Sequence, residues 1–84
     1  MTISGLVITL SRDEALRGSA LDALRRDPRL DLGDPEGSRL PLVAEASDLR
    51  EGKALVEALL LIPGVDFVDV VSVHFEGATF APEA

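Results

Sequence analysis

Apolar residues recur along this chain with two different periods. Over residues 3–10, Leu6, Ile8 and Leu10 fall on one face and Gly5, Val7 and Thr9 on the other, which predicts a strand. The period then lengthens. Leu16, Ala20, Ala23 and Leu24 recur at helical spacing. Ser11 is the expected N-cap, with acids in the first turn, and Arg25 and Arg26 close the last turn, where cations suit the helix dipole. Asp27-Pro28 stops that helix, and Gly18 weakens its middle by about 1 kcal/mol.

A hairpin pattern comes next. Arg29 to Gly33 reads as a short strand, Asp34-Pro35-Glu36-Gly37 as a turn, and Arg39 to Ala46 as the returning strand. Leu30 and Leu32 share a face, as do Leu40, Leu42 and Ala44. Pro41 lacks an N–H, so pairing is expected to break or bulge there. Ser47-Asp48 then caps a second helix to about Leu61, with Ala54, Leu55, Ala58, Leu59 and Ile62 inward. Pro63-Gly64 ends it.

The last strand, "IPGVDFVDVVSVHFE" over Ile62–Glu76, is unusual. Val68 and Val70 hold the even positions; Val65, Phe67, Val71, Val73 and Phe75 hold the odd ones. Both faces are largely apolar, although so short a chain has room for one core, burying roughly 60% of its unfolded surface. The expected organisation is a single domain over 1–76 with a flexible tail, 77–84.

The element order is βαββαβ. Right-handed crossovers and one hairpin give an α+β, ferredoxin-like sandwich: a four-stranded antiparallel sheet, order 4-1-3-2, with both helices on one face. Leu6, Ile8, Leu10, Leu40, Leu42, Val68 and Val70 are expected beneath the helices. Val7, Thr9, Asp31, Val43, Glu45, Phe67, Asp69, Val71, Val73 and Phe75 are expected on the open face. An uncovered face with several valines and a phenylalanine asks for a cover, whether a second copy of the chain, a ligand or a peptide.

Composition narrows the partners. With 46% hydrophobic and 27% charged residues the chain is globular, and with no cysteine it has no disulfide or thiol chemistry, which fits a reducing compartment. The opening MTISGLVITL lacks a basic flank, so it is not read as a signal peptide, and no run approaches the ~20 apolar residues of a membrane span. A cytoplasmic location is expected. The net charge of −7, from 15 acidic and 8 basic residues, repels phosphate backbones and disfavours nucleic acid. It favours a cationic partner, or serves only solubility.

Catalytic constellations are hard to find. His74 is the single histidine and has no cysteine to share a metal with. Asp66 and Asp69 stand three apart in an extended segment and so face opposite sides, which is no arrangement for acid–base work. Gly33, Gly37 and Gly64 are isolated turn glycines without a phosphate-cradling pattern. Arg25, Arg26 and Arg29 form a basic patch better explained by a helix C-terminus than by an anion site. No enzyme activity and no cofactor or metal are expected.

Three segments carry a resemblance. "ISGLVITL" resembles the opening strand of the NapD family, the cytoplasmic chaperones of periplasmic nitrate reductase. "DPEGSRLPLVAEASD" resembles that family's hairpin, matching at Gly37, Leu40, Leu42, Val43, Glu45, Ala46 and Asp48. "IPGVDFVDVVSVHFE" is similar to its closing strand at Pro63, Gly64, Val65, Val68, Val71 and Glu76. The family's Tyr-His pair is Ser72-Val73 here, with the histidine one place on. The resemblance implies a chaperone that binds the twin-arginine signal peptide of an exported molybdoenzyme's catalytic subunit, delaying export until the cofactor is inserted. That peptide is cationic at one end and apolar in its middle. The implied contact residues are Val7, Thr9, Val43, Glu45, Phe67, Asp69, Val71 and Val73, with Glu45 and Asp69 foremost for the arginines and Asp31 third. Two other functions share this fold: a small-molecule-sensing regulatory module, and a structural homodimer whose sheet faces cover one another.

Overall fold

The computed structural model of the chain describes residues 1–75. The expected tail, 77–84, lies outside the described residues, as does the side-chain placement expected for Phe75. Six elements follow in order: β1 (Thr2–Leu10), α1 (Glu14–Arg25), β2 (Leu30–Leu32), β3 (Arg39–Ala46), α2 (Leu49–Leu60) and β4 (Val65–Phe75). The strands form one antiparallel sheet, β2-β3-β1-β4, which is the 4-1-3-2 order read from the other edge. Leu6, Ile8 and Leu10 of β1 and Leu40, Leu42 and Ala44 of β3 join Ala20 and Leu24 of α1 and Leu55 and Leu59 of α2 in one core. Both helices therefore lie on the even-numbered face of the central strands, as the ferredoxin-like reading requires.

Helix ends are set by carboxylates. The Asp13 carboxylate accepts from the backbone N–H groups of Ala15 and Leu16, at 3.0 and 3.1 Å, so Asp13 caps α1 in place of the expected Ser11. The Ser11 hydroxyl instead accepts from the Asp13 N–H and turns the chain into the cap. At α2, Asp48 accepts from the Glu51 N–H at 2.8 Å while Glu51 reaches back to the Ser47 N–H at 2.7 Å, a reciprocal cap.

The inward stripes differ from the expected ones at the small residues. Ala54 and Ala58 of α2 and Ala23 of α1 are exposed; Leu55, Val56 and Leu59 of α2, with Ile62 just beyond it, turn inward, and Leu21 joins Ala20 and Leu24 on α1. Large side chains set a helix's rotation, because each buries more apolar area than an alanine. Leu16 is also exposed, since the first part of α1 meets the Pro63-Gly64 turn through backbone.

Pro41 neither breaks nor bulges the pairing with β1, where the register runs without a shift from Thr2↔Ala46 to Thr9↔Arg39. Its carbonyl accepts from the Gly33 N–H at 2.8 Å, so its backbone faces β2. The missing N–H is felt only there, and β2 ends at Leu32.

Two register shifts govern β4. Its pairing with β1 slips between Gly5 and Leu6 and between Thr9 and Leu10, which leaves Val71 and Asp66 as extra residues. Each bulge reverses the phase of the side chains. Val65, Val68, Val70 and Val73 stand opposite Leu10, Ile8, Leu6 and Ser4, on the helix side. Phe67, Asp69, Ser72 and His74 stand opposite Thr9, Val7, Gly5 and Ile3, on the open side. The strand's apolarity in both phases is thus partly one face interrupted by bulges. Val73, expected on the open face, belongs to the other one.

Two glycines make the fold testable. Gly64 has φ +99, and a Cβ there would press on the Leu16 carbonyl oxygen and stand 2.9 Å from Ala20 Cβ. Gly64→Ala should lower unfolding free energy by about 2–4 kcal/mol in urea titrations. Gly18 meets nothing within 4 Å inside an unbroken helix. Gly18→Ala should raise it by about 1 kcal/mol.

Candidate functional site

Among the described residues, no helix covers the other face of the sheet. β1 places Ile3, Gly5, Val7 and Thr9 there, and the register sets Glu45, Val43, Pro41 and Arg39 of β3 beside them in that order. Asp31 of β2 lies beyond Val43. On the other side come His74, Ser72, Asp69 and Phe67 of β4. Val43, Phe67 and Val71 are 40%, 53% and 64% exposed, while Val7 and Thr9 are half-buried between their neighbours.

At the centre of this face β4 packs closely over β1. Gly5 carries no side chain, and a Cβ on it would stand 2.7 Å from Ser72 Oγ and 3.4 Å from Val71 Cγ2. The bulge thus lays Val71 over the strand beside Gly5. Beside this contact, Val7, Pro41, Val43 and Val71 border a shallow depression of about 330 Å³ with Asp31 at its rim.

Carboxylates flank the apolar floor on both edges. Asp31 stands opposite Val43, and Glu45 is two residues further along β3, a diagonal that places their Cα atoms roughly 7–8 Å apart. Asp69 is different. From Glu45 it lies two strands across and, through Ile3 and Val7, four residues along, roughly 16 Å away. The structure therefore pairs Glu45 with Asp31, which the sequence reading placed third, and puts Asp69 at the opposite edge.

The basic patch is engaged elsewhere. The Arg29 guanidinium holds both oxygens of Asp27, at 3.0 and 2.8 Å, and Arg25 lies 3.7 Å from Asp22. The hydrogen bond from Arg29 holds the Asp27 carboxyl below its ordinary range, and Asp27 in turn raises the Arg29 guanidinium. These contacts bind the chain entering β2, where Arg29 borders a shallow depression together with Glu45 and Glu51. Among the described residues no three metal-ligating side chains come together. No helix among them is long and apolar enough to cross a membrane.

No family model matches the chain, and no curated relative does. A solved structure does superpose on it: the solution structure of the E. coli Tat proofreading chaperone protein NapD. The TM-score is 0.71, over 98% of this chain and 87% of that one, at 20% sequence identity.

The chain has the fold of NapD.

On this NapD fold the open face collects seven of the eight residues the sequence singled out: Val7, Thr9, Val43, Glu45, Phe67, Asp69 and Val71. Val73 is the exception. With Val70 it lines a second, helix-side groove of about 350 Å³ between α2 and β4, beside Leu49, Gly52, Lys53 and Val56. Val70 and Val73 are 50% and 45% exposed, so α2 covers the edge strand only in part. Gly5 was placed on this face with Val7 and Thr9 but not singled out, and sequence reasoning missed Ile3, Pro41, Ser72 and His74. Strand parity from Val7 and Val43 already signals Ile3, Gly5 and Pro41; nothing short of the register signals Ser72 and His74.

The two sides of β4 predict different mutational costs. Val68→Ala, in the core, should destabilise by about 2 kcal/mol, whereas Val71→Ala should change stability by less than about 0.5 kcal/mol. Urea midpoints check this, and equal losses would contradict the bulge.

Proposed function

We propose that the chain is a cytoplasmic proofreading chaperone that binds the twin-arginine signal peptide of an exported molybdoenzyme, such as the catalytic subunit of a periplasmic nitrate reductase. Binding on the open sheet face delays export until the cofactor is in place. The observation that carries this reading is the chemistry of that face on a NapD-like fold. It joins an apolar floor, formed by Val7, Pro41, Val43, Phe67 and Val71, to carboxylates at its edges. A signal peptide has the complementary chemistry, with paired arginines followed by an apolar stretch.

Each part of the face has a role. Glu45 and Asp31 take the arginines, because two neighbouring carboxylates match two neighbouring guanidinium groups and such contacts are charge-assisted and bidentate. Val43, Val7 and Val71, with Phe67 and Thr9, take the apolar stretch, whose burial supplies most of the affinity. Asp69 keeps the far edge acidic. The net charge of −7 speeds encounter with a cationic peptide.

A chaperone must release its client, so its apolar surface has to remain available between encounters. A second copy of the chain is the competing occupant of the same face. Sedimentation with and without peptide separates the two, since peptide should dissolve any dimer formed through this surface.

Calorimetry with twin-arginine peptides tests the reading. Glu45→Gln should weaken binding about tenfold while leaving folding unchanged, because Glu45 is exposed. Added salt should weaken the parent more than the variant, since the variant has lost a screened charge pair. Equal affinity and equal salt slopes for Glu45→Gln and Asp69→Asn would leave these acids with solubility alone.

A further inference from the structure

Val70 and Val73 stand on the helix side of β4, yet α2 leaves both half-exposed. We propose that the groove between α2 and β4 is the docking site of the chain's own segment 77–84, with Phe80 seated in it as the anchor. The inference concerns the helix side of the sheet and does not rest on the peptide-binding reading.

The groove is built from one stripe of each element. Leu49, Gly52, Lys53 and Val56 recur at i, i+3, i+4 and i+7 of α2 and so share a face. Val70 and Val73 of β4, with Thr2 and Ser4 of β1, complete the lining. Gly52 keeps the groove open. Outside its own helix, a Cβ there would meet only Ala46 Cβ, at 3.7 Å. The volume of about 350 Å³ takes a side chain of aromatic size. Leu49 is 57% exposed, so the described elements leave this apolar stripe in water.

Position, reach and charge name the occupant. Phe75 pairs with Thr2, which lines the groove, and Thr2 pairs with Ala46, just before α2. β4 therefore delivers the chain to the Leu49 end of the groove. Gly77 stands two residues beyond Phe75, and Phe80 three residues further. A reversal at Gly77, a residue that turns at no steric cost, returns Phe80 to within about one residue's rise of Val73. Glu83 then follows about 10 Å further on, along α2 toward Lys53. Lys53 is the single lysine of a chain with net charge −7, and among the described residues it makes no ion pair. The segment brings glutamate and no cation. It is also tethered, at an effective concentration of order millimolar, which no free peptide matches at ordinary dilution. A second copy docking groove to groove would bring Lys53 toward its own counterpart.

A spin label tests the placement. The chain has no cysteine, so Ala84→Cys gives a single attachment site. The nitroxide should broaden the NMR signals of Lys53, Val56 and Val70 more than those of Val7 and Val43 on the open face, at any protein concentration. Phe80→Ala should relieve most of that broadening, and Lys53→Glu part of it. Urea titration gives an independent reading. Phe80→Ala should lower the folding equilibrium constant about fivefold, because burying a ring outweighs ordering a few residues. Val73→Ala should cost less in the Phe80→Ala background than in the parent, the non-additivity of side chains in contact.

Equal broadening with and without Phe80, or additive losses in the two variants, overturns the docking. Broadening centred on Val7 and Val43 would put the segment on the open face. Broadening of unlabelled molecules by labelled ones would put a second copy in the groove. Either of these also overturns the proposal, and neither touches the peptide-binding reading.

Discussion

Everything about this molecule depends on both helices lying on the same side of the sheet. Two crossovers of the same hand, β1–α1–β2 and β3–α2–β4, leave no other arrangement. The core forms between that side and the helices, where Leu6, Ile8, Leu10, Leu24 and Leu40 are fully buried. Among the described residues no element covers the other side of the same strands. Any apolar residue there remains in contact with water until something binds. A function that needs a renewable apolar surface therefore has a natural home on this fold.

The second constraint is local and acts on that bare side. Gly5 and the β4 bulge are two parts of one device. The bulge adds Val71 to the strand, and the absence of a side chain on Gly5 lets Val71 and Ser72 pack over β1 there. A bulge also bends an edge strand and disturbs its outer row of hydrogen-bonding groups, which discourages edge-to-edge pairing. β2 avoids the same hazard differently, by being only three residues long and ending where Pro41 withholds its N–H. Both exposed edges are thus blunted while the face between them stays apolar.

Carboxylates reconcile that apolar face with solubility. Asp31, Glu45 and Asp69 stand at its margins, so the valines and the phenylalanine do not form an uninterrupted patch. The same charges make the face acidic, a surface that attracts cations and repels anions. Arg29 does not neutralise them, because Asp27 already holds it.

Much of this was legible in the amino-acid sequence. The change of apolar period at Leu16, the acids before each helix and the turn residues at Pro28, Gly37 and Gly64 determine the βαββαβ order locally. The parity of β1 and β3 determines which of their residues face the helices, since a strand's side chains alternate without exception when pairing is regular. The tertiary structure decided the rest. Whether Asp13 or Ser11 caps α1 depends on which oxygen reaches the free N–H groups. Which carboxylates become neighbours depends on register, and register joined Glu45 to Asp31 rather than to Asp69. Most of all, the side taken by Val73 depends on a bulge at Val71, and a bulge is a relation between two strands. Alternation within β4 carries no mark of the point where its phase is reset, because only the pairing with Gly5 and Leu6 of β1 defines it.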